Sequence, residues 1–259
     1  MMGNNVNVKV ENQIAYIGMN RPNKRNSLAT ELVEELLGAL REAEKNPEVR
    51  AIILYGEGKA FSAGGDIDTL QAFENTADLL NYMQGAAEIT NTIKSLDKLV
   101  VAAVHGFAAG AGFSLALACD FVVAHPETRF ISSFTNVGLI PDLGLIRSLN
   151  GRVPSAIAKE WIVSGRPVSV EEASKHGLVN KVATGDVVAD AAEYAQFIVA
   201  APPLANKFVK YLVEHANEYS NETSLMQENV IQSLLLQTED NREGIQAFFE
   251  KRKPKYKGI

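Results

Sequence analysis

Between Leu99 and Cys119 the chain runs for 21 residues without an Asp, Glu, Lys or Arg. Such a segment has to leave water, either inside a bilayer or inside a fold. Gly106, Gly110 and Gly112 interrupt it, His105 sits within it and Asp120 closes it. A spanning helix calls for a more continuous apolar run. The segment therefore reads as a buried strand (Leu99–Val104), a glycine-rich turn and a buried helix (Ala111–Ala118), with Phe121–Ala124 as the next strand. No membrane role is expected. Met1 to Glu11 lacks the basic and apolar stretches of a secretory leader. The single cysteine, Cys119, excludes an intramolecular disulfide framework and a multi-cysteine zinc site, which fits a reducing, cytoplasmic setting.

The same alternation extends toward the N-terminus. Val6–Val10 and Ile14–Met19 have strand length, with Glu11-Asn12-Gln13 as a hairpin turn. Thr30 is expected to cap a helix running to about Asn46, because Leu32, Leu36, Leu37 and Leu40 share a face and Pro47 stops it. Ala51–Tyr55 reads as a buried strand, Gly56–Gly65 as a loop and Thr76–Ser95 as an amphipathic helix. Strands alternating with helices indicate an α/β class with a largely parallel sheet. Beyond Ser155 helical patterns dominate: Ala156–Val163, Val170–His176, Val187–Ala200, Leu204–Tyr219, Glu222–Gln237 and Asn241–Arg252. Only Leu178–Val182 reads as a strand there, and Pro202-Pro203 marks a hinge.

Two turns carry the chemistry. Lys59-Ala60-Phe61-Ser62-Ala63-Gly64-Gly65-Asp66-Ile67 and His105 through Phe113 both place small residues after a strand and before a helix. Small residues let the backbone approach a ligand, and free N–H groups at a helix start favour developing negative charge. Either turn taken alone also reads as a mere tight connection. Gly110-Ala111-Gly112 has Leu115 where a dinucleotide-binding turn needs a third glycine, and neither turn ends as a P-loop. A net charge of −6 argues against a nucleic-acid partner but leaves room for a small anion held by local Lys or Arg.

Asn20-Arg21-Pro22, Asn26-Ser27-Leu28, Phe61 through Asp66 and Gly106 through Asp120 follow in order. Gly138-Leu139-Ile140-Pro141, Ala173, Gly177-Leu178-Val179, Glu243-Gly244 and Phe248 to Lys253 continue the series. Together they resemble the enoyl-CoA hydratase/isomerase, or crotonase, family over essentially the whole chain. The motifs are nearest to its enoyl-CoA isomerase and phenylacetate ring-epoxide isomerase type. The resemblance implies a crotonase-like spiral of ββα units over residues 1–195, with the acyl-CoA site. It also implies a helical C-terminal region, 196–259, that builds trimers or dimers of trimers. The amides of Ala63 and Ala111 would hold the thioester oxygen, Ala111 standing where many members have glycine. Coenzyme A enters as part of the substrate, with no prosthetic group and no metal. Arg25, Lys59 and Lys251 would face its phosphates, with Ala60, Phe61, Gly64, Asp66 and Gly110 forming the surrounding site. For each of the three cations a solvated surface charge is the competing reading, and Asp66 also reads as a helix N-cap.

The family's hydratases hold water with two glutamates, which by position would be residues 114 and 134. Here Ser114 and Phe134 stand in those places. Asp142 is the nearest acid in the next turn; taken by itself it reads as an N-cap for a helix starting near Leu143, whereas resemblance makes it the isomerase acid. The expected reaction is a double-bond shift from 3-enoyl-CoA to 2-enoyl-CoA, with a hydratase of atypical water site as the alternative. A silent scaffold or RNA-binding oligomer conflicts with the intact turns and the acidic charge. A serine hydrolase lacks Gly-x-Ser-x-Gly around Ser62 and Ser114. His105, His125, His176 and His215 lie in separate segments without metal-ligand spacing.

Overall fold

The hairpin of β1 (Val6–Glu11) and β2 (Ile14–Met19) opens the chain. Its Asn12 and Gln13 take left-handed φ of 51° and 64°, a turn geometry that matches strand twist. This computed structural model describes residues 5–259, so residues 1–4 of the Met1–Glu11 segment and of the 1–195 core lie outside the described residues. Helix α1 (Thr30–Lys45) buries Leu32, Leu36 and Leu40 as their spacing predicts. Thr30 is not its cap: it is already helical, and Ala29, in extended backbone, precedes it without any capping side chain.

Three successive turns of chain then build the body. The first comprises β3 (Ala51–Gly56), α2 (Ile67–Gln71) and α3 (Thr76–Ser95). The second is β4 (Leu99–Val104), β5 (Phe107–Ala109) and α4 (Ala111–Ala118), and the third is β6 (Phe121–Ala124), β7 (Arg129–Ile131) and α5 (Leu145–Asn150). Each turn sends one strand into a larger sheet; the second and third send their next strand into a smaller one, which the first reaches only through an isolated Ser62–Ala108 bridge, and the result is a spiral of ββα units. The elements α6 (Ser155–Ser164), β8 (Pro167–Ser169), α7 (Val170–Lys175) and β9 (Lys181–Val182) complete both sheets. The larger sheet has the order β1-β2-β3-β4-β6-β9 and is parallel after its first pair; the smaller is β5-β7-β8.

Alternate residues of the central strands face opposite sides. Ile52 and Leu54 join Leu32, Leu36, Ile89 and Phe113 in one core. Ala51, Ile53, Val101 and Val123 form another with Val187, Ala191 and Ile198. Burial on both faces explains why these strands read as continuous apolar runs. Those last three residues lie in α8 (Val187–Tyr194) and α9 (Gln196–Ala200), not in one helix as the periodicity predicts: Ala195 ends the first and starts the second. The strand expected over Leu178–Val182 shrinks to β9, because Leu178 and Val179 are drawn into the core.

The chain ends in α10 (Pro203–His215), α11 (Asn221–Leu235) and α12 (Glu239–Glu250). Lys210 pins α10 to the body. It is 4% exposed, and its ammonium donates to the carbonyls of Ile93 (2.7 Å) and Lys98 (3.0 Å) and to Asp120 Oδ2 (3.0 Å). All three donors are used, as a buried ammonium requires. Burial pushes the Asp120 carboxyl up despite Lys210 and the Val100 amide, so the acid depends on its partner. Lys210→Met should lower unfolding stability by about 3–5 kcal/mol, because it leaves Asp120 buried and unpaired. Urea denaturation of the single variant and of Lys210→Met/Asp120→Asn checks this; the double variant should recover part of the loss.

Candidate active site

The two glycine-rich turns meet backbone to backbone. The Ser62 N–H donates to the Phe107 carbonyl (3.1 Å), and the Ala109 N–H donates back to Ser62 (3.0 Å). A Cβ on Gly64 would stand 2.7 Å from the Ala109 carbonyl and 3.2 Å from the Ala111 nitrogen. One on Gly112 would stand 2.5 Å from the Ser62 carbonyl. Only glycine permits this approach.

The donors it exposes differ in one member from the expected pair. The Ala63 amide is occupied: it donates to the Arg25 carbonyl at 2.9 Å, and Ala63 itself faces solvent. Gly65, two residues on, presents a free amide in the same turn. It bridges Leu28 in parallel fashion, the Leu28 N–H donating to Gly64 (2.8 Å) and the Asp66 N–H to Leu28 (3.4 Å). In such a bridge the central residue's own N–H turns to the other side, and the Gly65 N–H has no acceptor among the described residues. Ala111 is the first residue of α4, following Gly110 at φ 52°, and its N–H is likewise without an acceptor among the described residues. The helix start adds partial positive charge there.

The remaining predicted residues divide. Gly110 holds the turn in place by donating to the Ile131 carbonyl (2.9 Å) and accepting from Phe113 and Ser114. Asp66 is engaged within the protein. Its carboxylate caps α2 through the Thr69 amide (3.2 Å) and accepts from Ser27 Oγ (2.9 Å) and Arg21 (3.0 Å). Burial alone would raise it; the Ser27 hydroxyl, Arg21 and the Thr69 amide outweigh that and hold it below its ordinary value. Phe61 is fully buried in the core, and the Ala60 carbonyl is taken by Asn26 Nδ2 (2.9 Å), so neither side chain is presented to a ligand. Arg25 and Lys59 are exposed on the rim of the first turn. Lys251 caps the far end of α12 in left-handed backbone (φ 54°) and touches neither turn.

Asp142 is not an N-cap. Helix α5 starts at Leu145 after Gly144, and Asp142 contributes only its carbonyl, which accepts from the Leu145 N–H (3.0 Å). Its Oδ1 is buried without a hydrogen-bond partner. Among the described residues the other such carboxylate oxygen is Glu44 Oε2, at the opposite end of the strands, where Glu44 Oε1 accepts from the Asp97 amide. Burial pushes the Asp142 carboxyl up to about 6, its own backbone amide opposing this slightly. Phe134 is 7% exposed and its ring edge lies 3.8 Å from where a Cβ on Gly110 would stand, so that side of the second turn is apolar. Ser114 is fully buried, its hydroxyl spent on the Gly110 carbonyl of its own helix (3.4 Å). Among the described residues no group of three His, Cys, Asp or Glu is placed to hold a metal ion, and no helix is long and apolar enough to cross a membrane.

A carboxyl raised by burial binds its proton more tightly folded than unfolded. Stability contributed by this group is therefore present at low pH and falls as pH rises from its ordinary 3.8 to about 6. Asp142→Asn should stabilise the protein by about 1–2 kcal/mol above pH 7, less than full linkage gives because part of the carboxyl meets water. Melting curves from pH 4 to 8 should show the gap opening across that window; a gap independent of pH would contradict the burial of Asp142.

Comparison with known proteins places this geometry in context. A family model described as enoyl-CoA hydratase/isomerase matches residues 9–259. The 2,3-dehydroadipyl-CoA hydratase of Escherichia coli is 31% identical over 252 residues, spanning 97% of this chain and 98% of that protein. The short-chain-enoyl-CoA hydratase of Clostridium acetobutylicum is 32% identical, spanning 96% of each. The crystal structure of an enoyl-CoA hydratase from Polaromonas sp. JS666 superposes with a TM-score of 0.94 at 38% identity, covering 97% of this chain and 99% of that one.

Proposed function

The chain belongs to the enoyl-CoA hydratase/isomerase family, whose substrates are coenzyme A thioesters, and we propose that within it the enzyme shifts a double bond from 3-enoyl-CoA to 2-enoyl-CoA. The observation that carries this reading is the buried, unpartnered Oδ1 of Asp142, together with Ser114 and Phe134, which supply no carboxylate at the two positions where the hydratases' glutamates are expected. The substrate carbonyl accepts from the Gly65 and Ala111 amides. Asp142 removes a proton from C2; the electron pair moves into the carbonyl and yields a dienolate whose oxygen the two amides hold. The protonated acid then returns its proton to C4, the double bond settles between C2 and C3, and no atom is gained or lost. An oxyanion donor is worth about 2.7–4 kcal/mol and a placed acid–base group about 10²–10⁴-fold. Arg25 and Lys59 at the rim, with Lys251, are the proposed partners of the coenzyme phosphates.

A second reading has support from the E. coli and C. acetobutylicum relatives, both named as hydratases. In it Asp142 alone would activate water. One experiment separates the two. Offered 3-hexenoyl-CoA and 2-hexenoyl-CoA in parallel, an isomerase gains conjugated absorbance from the first and leaves the second intact, whereas a hydratase bleaches the second. The base must be ionised, so kcat should rise through pH about 6 and collapse in Asp142→Asn. Full turnover in that variant would sink the assignment of Asp142.

We also propose the region 196–259 as the self-association face, giving a trimer or a pair of trimers around the 1–195 core. Phe248 and Phe249 are 79% and 77% exposed and border a groove of about 450 Å³ lined by Leu236 and Ile245. Exposed aromatic area of that size favours burial against another surface. Light scattering should give three or six times 28.1 kDa, reduced in Phe248→Glu; a monomer at micromolar concentration would refute it.

A further inference from the structure

Helix α3 carries two hydroxyls that the chemistry above does not use, and each grips a different half of the site. Tyr82 Oη donates to the Leu28 carbonyl at 2.8 Å, and Thr90 Oγ1 donates to the Leu143 carbonyl at 2.9 Å. Leu28 is the bridge partner of Gly65. Leu143 directly follows Asp142 and sits in left-handed backbone, φ 47°, a conformation that costs a branched residue energy and persists only when its surroundings impose it. Eight residues of helix separate the two hydroxyls, about 12 Å along the axis. Tyr82 also senses both ends: after burial, the nearby charges of Asp66 and then Asp142 push its phenol up, with Arg21 opposing.

We propose that α3 is a strut that fixes the distance between the Gly65 amide and the Asp142 carboxylate, with Tyr82 and Thr90 as its two positioning residues. The inference rests on the reading of Asp142 as the base. The Thr90 bond holds Leu143 in its strained conformation and so turns the preceding carboxylate inward, away from water. The Tyr82 bond holds Leu28, and through the bridge Gly65, at the other end. Tyr82 is the titratable side chain facing Asp142 from α3; Phe134 and the Asp142 backbone amide contribute no charge. An ordinary helix-to-loop tether predicts something different: loss of either hydroxyl would lower the melting temperature and leave catalytic parameters alone.

The test compares wild type, Thr90→Val, Thr90→Ser, Tyr82→Phe and Asp142→Asn on 3-hexenoyl-CoA across pH 4.5–8. Thr90→Val should lower kcat about ten- to hundred-fold, the scale of a displacement near 1 Å, with KM little changed. Its acidic limb should move below the wild-type value of about 6 as the carboxyl gains water. Thr90→Ser should restore both. Tyr82→Phe should lower kcat without moving the limb. If Thr90→Val does not fold, Thr90→Ala carries the same comparison. An inactive Asp142→Asn together with wild-type kcat and limb in the Thr90 variants would overturn the strut and leave the base standing. Turnover retained by Asp142→Asn would remove the base, and the strut with it.

Discussion

The contact between Ser62–Gly65 and the start of α4 admits no side chain, since a Cβ on Gly64 or Gly112 would stand well inside van der Waals distance of a facing carbonyl. That closeness has a consequence for hydrogen bonding. Where two backbones touch, their amides must either bond one another or go without. Ser62 and Ala109 take the first course and lock the turns together. Gly65 and Ala111 take the second, their N–H groups finding no acceptor among the described residues. The same geometry that packs the turns sets both of these free donors, so the tightness of the fold and the readiness of the site are one property.

Unsatisfied groups of this kind persist only when the frame around them cannot relax. Asp66 supplies one anchor, fixed by Ser27, Arg21 and the Thr69 amide in the residue next to Gly65. Lys210 and Asp120 supply another, tying the C-terminal helices to the strand from which the second turn departs. Both ion pairs are largely withdrawn from water and reinforced by further hydrogen bonds, which makes them costly to break although not necessarily large sources of net stability.

The alternation of strand and helix and the two turns were legible in the sequence because glycine and apolar runs report backbone constraint directly. The α/β class follows from them, whereas the spiral of ββα units and Ala111 as a donor are what the family resemblance implies. What could not be read was which amide of the first turn is free. Ala63 and Gly65 are two residues apart, and the choice depends on bridge register with Leu28 and on the Arg25 carbonyl, 38 residues upstream of Ala63; no local pattern encodes that pairing. The same holds for Asp142, whose position before a helix resembles a cap until the left-handed Leu143 and Gly144 displace the helix start to Leu145. Strands β5, β7 and β8 were missed for a simpler reason: at three residues each they carry no periodicity. The break at Ala195 is invisible to an amphipathic count, because both half-helices face one core.

The electrostatic character of the acid follows from what lacks charge around it. Two carboxylates sharing a small site repel, so one holds its proton while the other is ionised, an arrangement suited to fixing and splitting water. With Ser114 and Phe134 at the two positions, no such partner raises or lowers Asp142; burial alone does. A solitary acid near pH 6 is ionised at neutral pH yet still basic enough to accept a carbon-bound proton once the amides have stabilised the enolate oxygen. In the proposed reaction the accepted proton returns to the same substrate, at C4 in place of C2. On that proposal, a serine and a phenylalanine at positions 114 and 134 leave Asp142 without a second carboxylate to help hold and split water, and the single acid serves both proton transfers.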